Sequence, residues 1–96
     1  DPRDLHSFPT RRSSDLVMDV LLRRERFVEV IEVAQRVLGQ DNCWERAYRH
    51  LMFAYARLGD RGQVGRIYQR CVQTLREELE VSPAPETQQL YQKLMD

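Results

Sequence analysis

The sequence predicts an all-α protein: two helical hairpins on a 34-residue template, closed by a short C-terminal helix. Three observations predict it. Apolar residues recur at steps of three and four from residue 17 onward, the spacing that lines one face of an α-helix. Helix-starting and helix-stopping residues stand at the ends of those periodic stretches. The chain also resembles itself when Val17 is laid over Leu51. No alternating strand pattern competes.

Taken in order, a first helix is marked by Phe27, Val30, Ile31, Ala34, Val37 and Leu38, and a second by Trp44, Ala47, Tyr48, Leu51, Tyr55 and Leu58. A third carries Val64, Ile67, Tyr68, Cys71, Val72, Leu75 and Leu79, and a short fourth Leu90, Tyr91, Leu94 and Met95. Asn42 precedes Glu45, and Asp60 precedes Gln63, at the spacing of a capping box, in which side chains satisfy the first helical amides. Gly59 ends the second helix as a residue free to turn left-handed. Pro83 and Pro85 part the third helix from the fourth, with Pro85 suited to the first turn.

Val17–Leu38 aligns with Leu51–Val72 without a gap. Met18 pairs with Met52, Arg23 with Arg57, Val30 with Val64, Gln35 with Gln69 and Arg36 with Arg70. That offset is the period of tetratricopeptide helix–turn–helix repeats. Leu51, Tyr55, Gly59, Val64, Tyr68 and Cys71 resemble that motif, whereas Arg61 stands where an aromatic is usual and Glu25 where glycine is usual. One hairpin cannot bury its apolar face alone, so the two are expected to stack, with 85–95 closing one end. The other edge, on the first hairpin, is expected to stay exposed and to support a homodimer.

The 96 residues suffice for one small domain, and 15 basic against 15 acidic side chains leave no net charge. With 42% hydrophobic and 31% charged residues the chain has the composition of a globular protein and not of a disordered one. No uninterrupted apolar run is long enough to span a membrane, and no signal-peptide pattern is present. Two cysteines and two histidines are too few for a structural zinc site without help from carboxylates. Charge is blocked, however: residues 43–76 carry a net +5, all of the basic residues arginine, and residues 77–96 a net −4. Such blocks form either solvated helix faces or a polar contact surface for a partner.

Residues 6–16, HSFPTRRSSDL, resemble the translation of a sequencing-adapter oligonucleotide. Residues 1–16 are therefore expected to be a non-native or disordered tail, and the domain is drawn at 17–96.

Within that domain, WERAYRHLM at 44–52, LGDR at 58–61, YQRC at 68–71 and LREEL at 75–79 are similar to the bacterial transcriptional activator domain. The ending VSPAPET at 81–87, followed by Leu90-Tyr91, strengthens the resemblance. It implies an interaction and activation module from regulators of the SARP type or from large ATPase-containing regulators, beside a winged-helix or helix-turn-helix DNA-binding domain that this fragment lacks. Two positions depart from the family's usual ending. Glu80 replaces the glycine that ends the third helix, and Ala84 replaces a capping serine.

The resemblance implies protein partners: the regulator's own DNA-binding domain, RNA polymerase or another regulator domain, in the bacterial cytoplasm. Arg46, Arg49, Phe53 and Arg57 share one face of the second helix, the face that lines the groove in tetratricopeptide geometry, and are the candidate partner-binding residues. The other reading has Phe53 packed on the first hairpin and the arginines paired with Glu29 or Glu32. No recognition helix, zinc finger or aromatic sheet motif accompanies the arginines, so DNA contact is expected only through another domain. His50 has no set of nucleophile, base and orienting group around it in sequence, and no phosphate loop exists, so neither catalysis nor a cofactor is expected. Cys71 is expected in the core and Cys43 as a partly exposed thiol, unbridged. The competing reading is a tetratricopeptide scaffold that binds a peptide or partner domain outside transcription.

Overall fold

The computed structural model describes residues 11–96 and folds them into five helices. These are α1 (Arg11–Arg23), α2 (Phe27–Gln40), α3 (Glu45–Arg57), α4 (Arg61–Leu79) and α5 (Pro85–Met95). Among the described residues there is no strand. The two hairpins keep the same template down to their ends: α1 stops at Arg23 and α3 at its repeat partner Arg57, while α2 starts at Phe27 and α4 at Arg61.

The two hairpin turns close identically. The Glu25 N–H donates to the Leu22 carbonyl at 3.0 Å and the Arg26 N–H to that of Leu21 at 2.9 Å. One template later the Gly59 N–H donates to Ala56 at 3.0 Å and the Asp60 N–H to Tyr55 at 2.9 Å. This nested pair requires a left-handed residue at its centre, and Glu25 and Gly59 supply it with φ of 56° and 81°. Glu80 also ends α4 in the left-handed conformation, with φ 56°, but there the Glu80 N–H donates to the Arg76 carbonyl and the Val81 N–H to that of Leu75. Glycine adopts that conformation without a Cβ clash, whereas a glutamate costs about 1–2 kcal/mol there.

Helix starts follow the sequence in two cases out of three. The Gln63 N–H donates to Asp60 Oδ1 at 3.1 Å, capping α4, and Pro85 opens α5. Asn42 does not cap α3. That role falls to Trp44, which makes no side-chain capping bond. The reason is a tight turn before the helix, where the Trp44 N–H donates to the Asp41 carbonyl at 3.3 Å. It leaves Asn42 outside the first helical turn, where its own carbonyl accepts the Tyr48 hydroxyl at 2.7 Å.

The core forms where α3 lies between its neighbours. Ala47, Tyr48, Leu51 and Met52 of α3 pack with Met18 of α1, Ala34, Val37 and Leu38 of α2, and Val64, Ile67, Cys71 and Leu75 of α4. The repeat partners Met18 and Met52, and Val30 and Val64, are all fully buried. Tyr55, Tyr68, Leu90, Tyr91 and Leu94 flank this core half-buried, and the Tyr68 and Tyr91 rings stack at 3.9 Å, pinning α5 to α4. Leu58, Leu79 and Met95, expected in the core, are exposed instead because each lies at a helix end beyond its last packed turn.

The tail boundary also moves. Residues 11–16, set aside with the N-terminal segment, form the first turns of α1, with Ser14 buried and Asp15 ion-paired to α3. The rest of that segment lies outside the described residues. Along α1, Met18 is buried, while Leu16, Val17 and Val20 face solvent.

Candidate functional site

A groove of about 380 Å³ opens between α1, α3 and α5. Arg46, Arg49, His50 and Phe53 of α3 form its floor, Leu22 of α1 one wall, and Glu86 and Leu90 of α5 the other. A larger groove of about 560 Å³ runs along α4 and α5, past Arg61, Arg66, Arg70 and Tyr91. Both combine arginines with an aromatic ring, the composition that marks contact surfaces, and the smaller one draws its walls from three helices.

Each sequence-predicted residue of α3 has a definite neighbour. Arg46 Nε lies 2.9 Å from Asp15 Oδ1 of α1. Arg49 donates to Thr87 Oγ1 of α5 at 3.0 Å. Phe53 packs edge-on against Phe27 at 6.3 Å between ring centroids, joining the smaller cluster of Phe27, Val30, Ala54, Leu21 and Leu22. Arg57 lies over both rings, 5.1 Å from Phe27 and 5.9 Å from Phe53, with Glu25 at 3.5 Å. Phe53 thus does pack on the first hairpin. The arginines find Asp15, Thr87 and Glu25 rather than Glu29 or Glu32; Glu29 is paired with Arg26 of its own helix turn. Arg46, Arg49 and Phe53 meet in the groove, and Arg57 stands beyond it as a lid on the aromatic pair.

Sequence reasoning missed His50 as a groove residue. Its side chain is only 13% exposed and its Nε2 is 3.5 Å from Asp15 Oδ1. Burial pushes the imidazole below its ordinary value against the opposing pull of Asp15, so His50 is neutral at pH 7. The i, i+4 step from Arg46 to His50 was the available signal, since it places both on one helix face. Leu22, Glu86 and Leu90 had no such signal because they arrive from other helices.

The α5 wall is fixed by a polar network. Glu45 Oε2 accepts from the Ala84 N–H at 2.9 Å and from the Thr87 hydroxyl at 2.6 Å. Thr87 in turn accepts from Arg49 and is fully buried. Ala84 is the N-cap of α5 with no side-chain capping bond; the Glu45 carboxylate takes the Ala84 N–H, the bond that an N3 carboxylate makes in a capping box, from another helix. Pro83, also buried, completes the seat. The Pro-x-Pro-Glu-Thr stretch is therefore the docking device that holds α5 against α3.

In comparison with known families, the sequence profile described as bacterial transcriptional activator domain matches residues 12–95. The chain belongs to the bacterial transcriptional activator domain family. The match extends through α1 and takes in every residue of the groove and of the Glu45–Thr87 seat. Members of this family are transcription-regulator domains rather than a known enzyme family. No curated protein and no solved structure matches the chain.

The rest of the activator domain is chemically quiet. Among the described residues, no cluster of histidine, cysteine and carboxylate side chains has the makings of a metal site. No described helix is long and apolar enough to cross a membrane. Neither cysteine is in a disulfide: Cys71 is buried and Cys43 half-buried. Burial pushes the Cys71 thiol up to about 12, which keeps it protonated and unreactive at neutral pH.

Proposed function

We propose that this domain is the protein-interaction and activation module of a bacterial transcription regulator of the SARP type, working in the cytoplasm. It receives a protein segment in the groove between α1, α3 and α5, and DNA is read by a separate winged-helix or helix-turn-helix domain. The partner is that DNA-binding domain, RNA polymerase or another regulator domain. One observation carries the reading: Arg46, Arg49, His50 and Phe53 line a concave surface whose walls are two leucines from flanking helices. An aromatic beside arginines is the composition of an energetic centre in an interface.

The test tethers the domain to a heterologous DNA-binding domain upstream of a reporter and measures partner binding in parallel. Arg46→Glu, Arg49→Glu and Phe53→Ala are each expected to lower both signals. Circular dichroism melting identifies variants that fail by unfolding. Unchanged binding and activation in all three variants would refute the groove as the contact surface.

A further inference from the structure

We infer that the groove takes an acidic protein segment carrying a bulky apolar side chain. This rests on the reading of the groove as the partner site and adds the chemistry of the partner. Three features of the lining select it. Leu22, Leu90 and Phe53 provide an apolar slot, and a volume of about 380 Å³ lies at the small end of ligand pockets and suits one or two side chains. Arg46 and Arg49 set two permanent cations beside that slot, against a single lining carboxylate, Glu86. The block that supplies both arginines, residues 43–76, carries a net +5, which draws an acidic segment toward this face.

The arginines are also held in place before any partner arrives. A guanidinium has five N–H donors. The Asp15 contact engages Nε of Arg46, and the Thr87 bond engages one terminal nitrogen of Arg49. Each fork keeps donors for an incoming carboxylate while its side chain is already oriented, so less conformational entropy is lost on binding. A nucleic-acid strand suits the groove less well. It would bring phosphates against two leucines and Glu86, and seat no apolar group in the slot.

The experiment is a random-peptide display selection on the full 96-residue chain. Recovered peptides are then titrated by fluorescence anisotropy at low and moderate salt. The expected consensus places Asp or Glu on either side of Leu, Phe or Trp. Affinity should fall about tenfold with Arg46→Glu and should weaken with salt. Glu86→Lys should tighten the same peptides severalfold, a gain that damage to the fold cannot mimic. A neutral or basic consensus, lost with Phe53→Ala but indifferent to Glu86→Lys, overturns the acidic preference and leaves the groove reading intact. An enrichment of nothing, or only of peptides insensitive to every groove substitution, overturns both. Displacement of the acidic peptides by a single-stranded oligonucleotide at stoichiometric concentration also counts against the inference.

Discussion

Glu25 and Gly59 occupy the same place in the two hairpins, and both hold the left-handed backbone that closes the turn, with φ of 56° and 81°. Only one of them is suited to it. The Glu25 carboxylate lies 3.5 Å from Arg57, with both side chains largely exposed, and such a pair is worth little in water. Glu25→Gly is expected to raise stability by about 0.5–1 kcal/mol, the relief of strain exceeding the added freedom of the unfolded chain. Glu80→Gly, at the matching end of α4, should do the same. For a domain of this size the gain reads as a melting point about 2–8 °C higher, and a lower one in either variant contradicts the strain.

The seat of α5 gives a second expectation. Thr87→Val keeps the shape of a fully buried side chain but removes the hydroxyl shared by Glu45 and Arg49. Deprived of that partner, the two charged groups lose hydrogen bonds in a half-buried site, and stability should fall by about 2 kcal/mol. Chemical denaturation with α5 tryptophan-labelled at an exposed site would show whether this helix detaches first.

Ala84→Ser tests the missing cap. Residue 84 has the extended backbone of an N-cap, φ −61° and ψ 155°, so a serine hydroxyl there reaches the amides of the first turn. The expected gain is about 0.5–1 kcal/mol. An unchanged or lower melting point would mean that the serine hydroxyl does not cap the first-turn amides.

Mild acid should weaken the fold through His50. Burial holds the His50 imidazole below its usual value of 6.5, so the unfolded chain binds that proton more readily than the folded one. Stability is then unaffected by His50 above pH 6.5 and declines as pH falls below it. Melting curves between about pH 7.5 and 5.5 should show this slope, and His50→Gln should flatten it. A wild-type slope that survives the substitution assigns the effect elsewhere.

The outer face of α1 predicts self-association. Val17 and Val20 are 46% and 38% exposed, with Leu16 beside them, whereas their repeat equivalents Leu51 and Ala54 are fully buried against neighbouring helices. Sedimentation velocity is expected to show concentration-dependent dimers, and Val17→Lys with Val20→Lys should yield a monomer with little change in melting temperature. A wild-type chain that is monomeric at high concentration rules this face out.

Much of the fold was legible because its determinants are local. The apolar phases of α2 to α5, the Asp60 cap, Gly59 and Pro85 each depend on residues within one or two helical turns. What stayed hidden depends on contacts across the chain. Glu45 reads as an ordinary first-turn acid, yet its partners lie 39 and 42 residues away. Arg57 shares a face with Arg46 in sequence, but the ring of Phe27 draws it out of the groove. The first turns of α1 were the largest omission, since they are polar and fall within the segment read as a tail.

The central place of α3 sets an order of opening. It packs on α2, α4 and α5 and pairs with Asp15 of α1, so every other helix can fray while it stays in place, but it cannot leave until they have gone. Its backbone amides should be the last to exchange with deuterated solvent and those of α1 and α5 among the first. The partner groove thus has walls that breathe over a floor that does not.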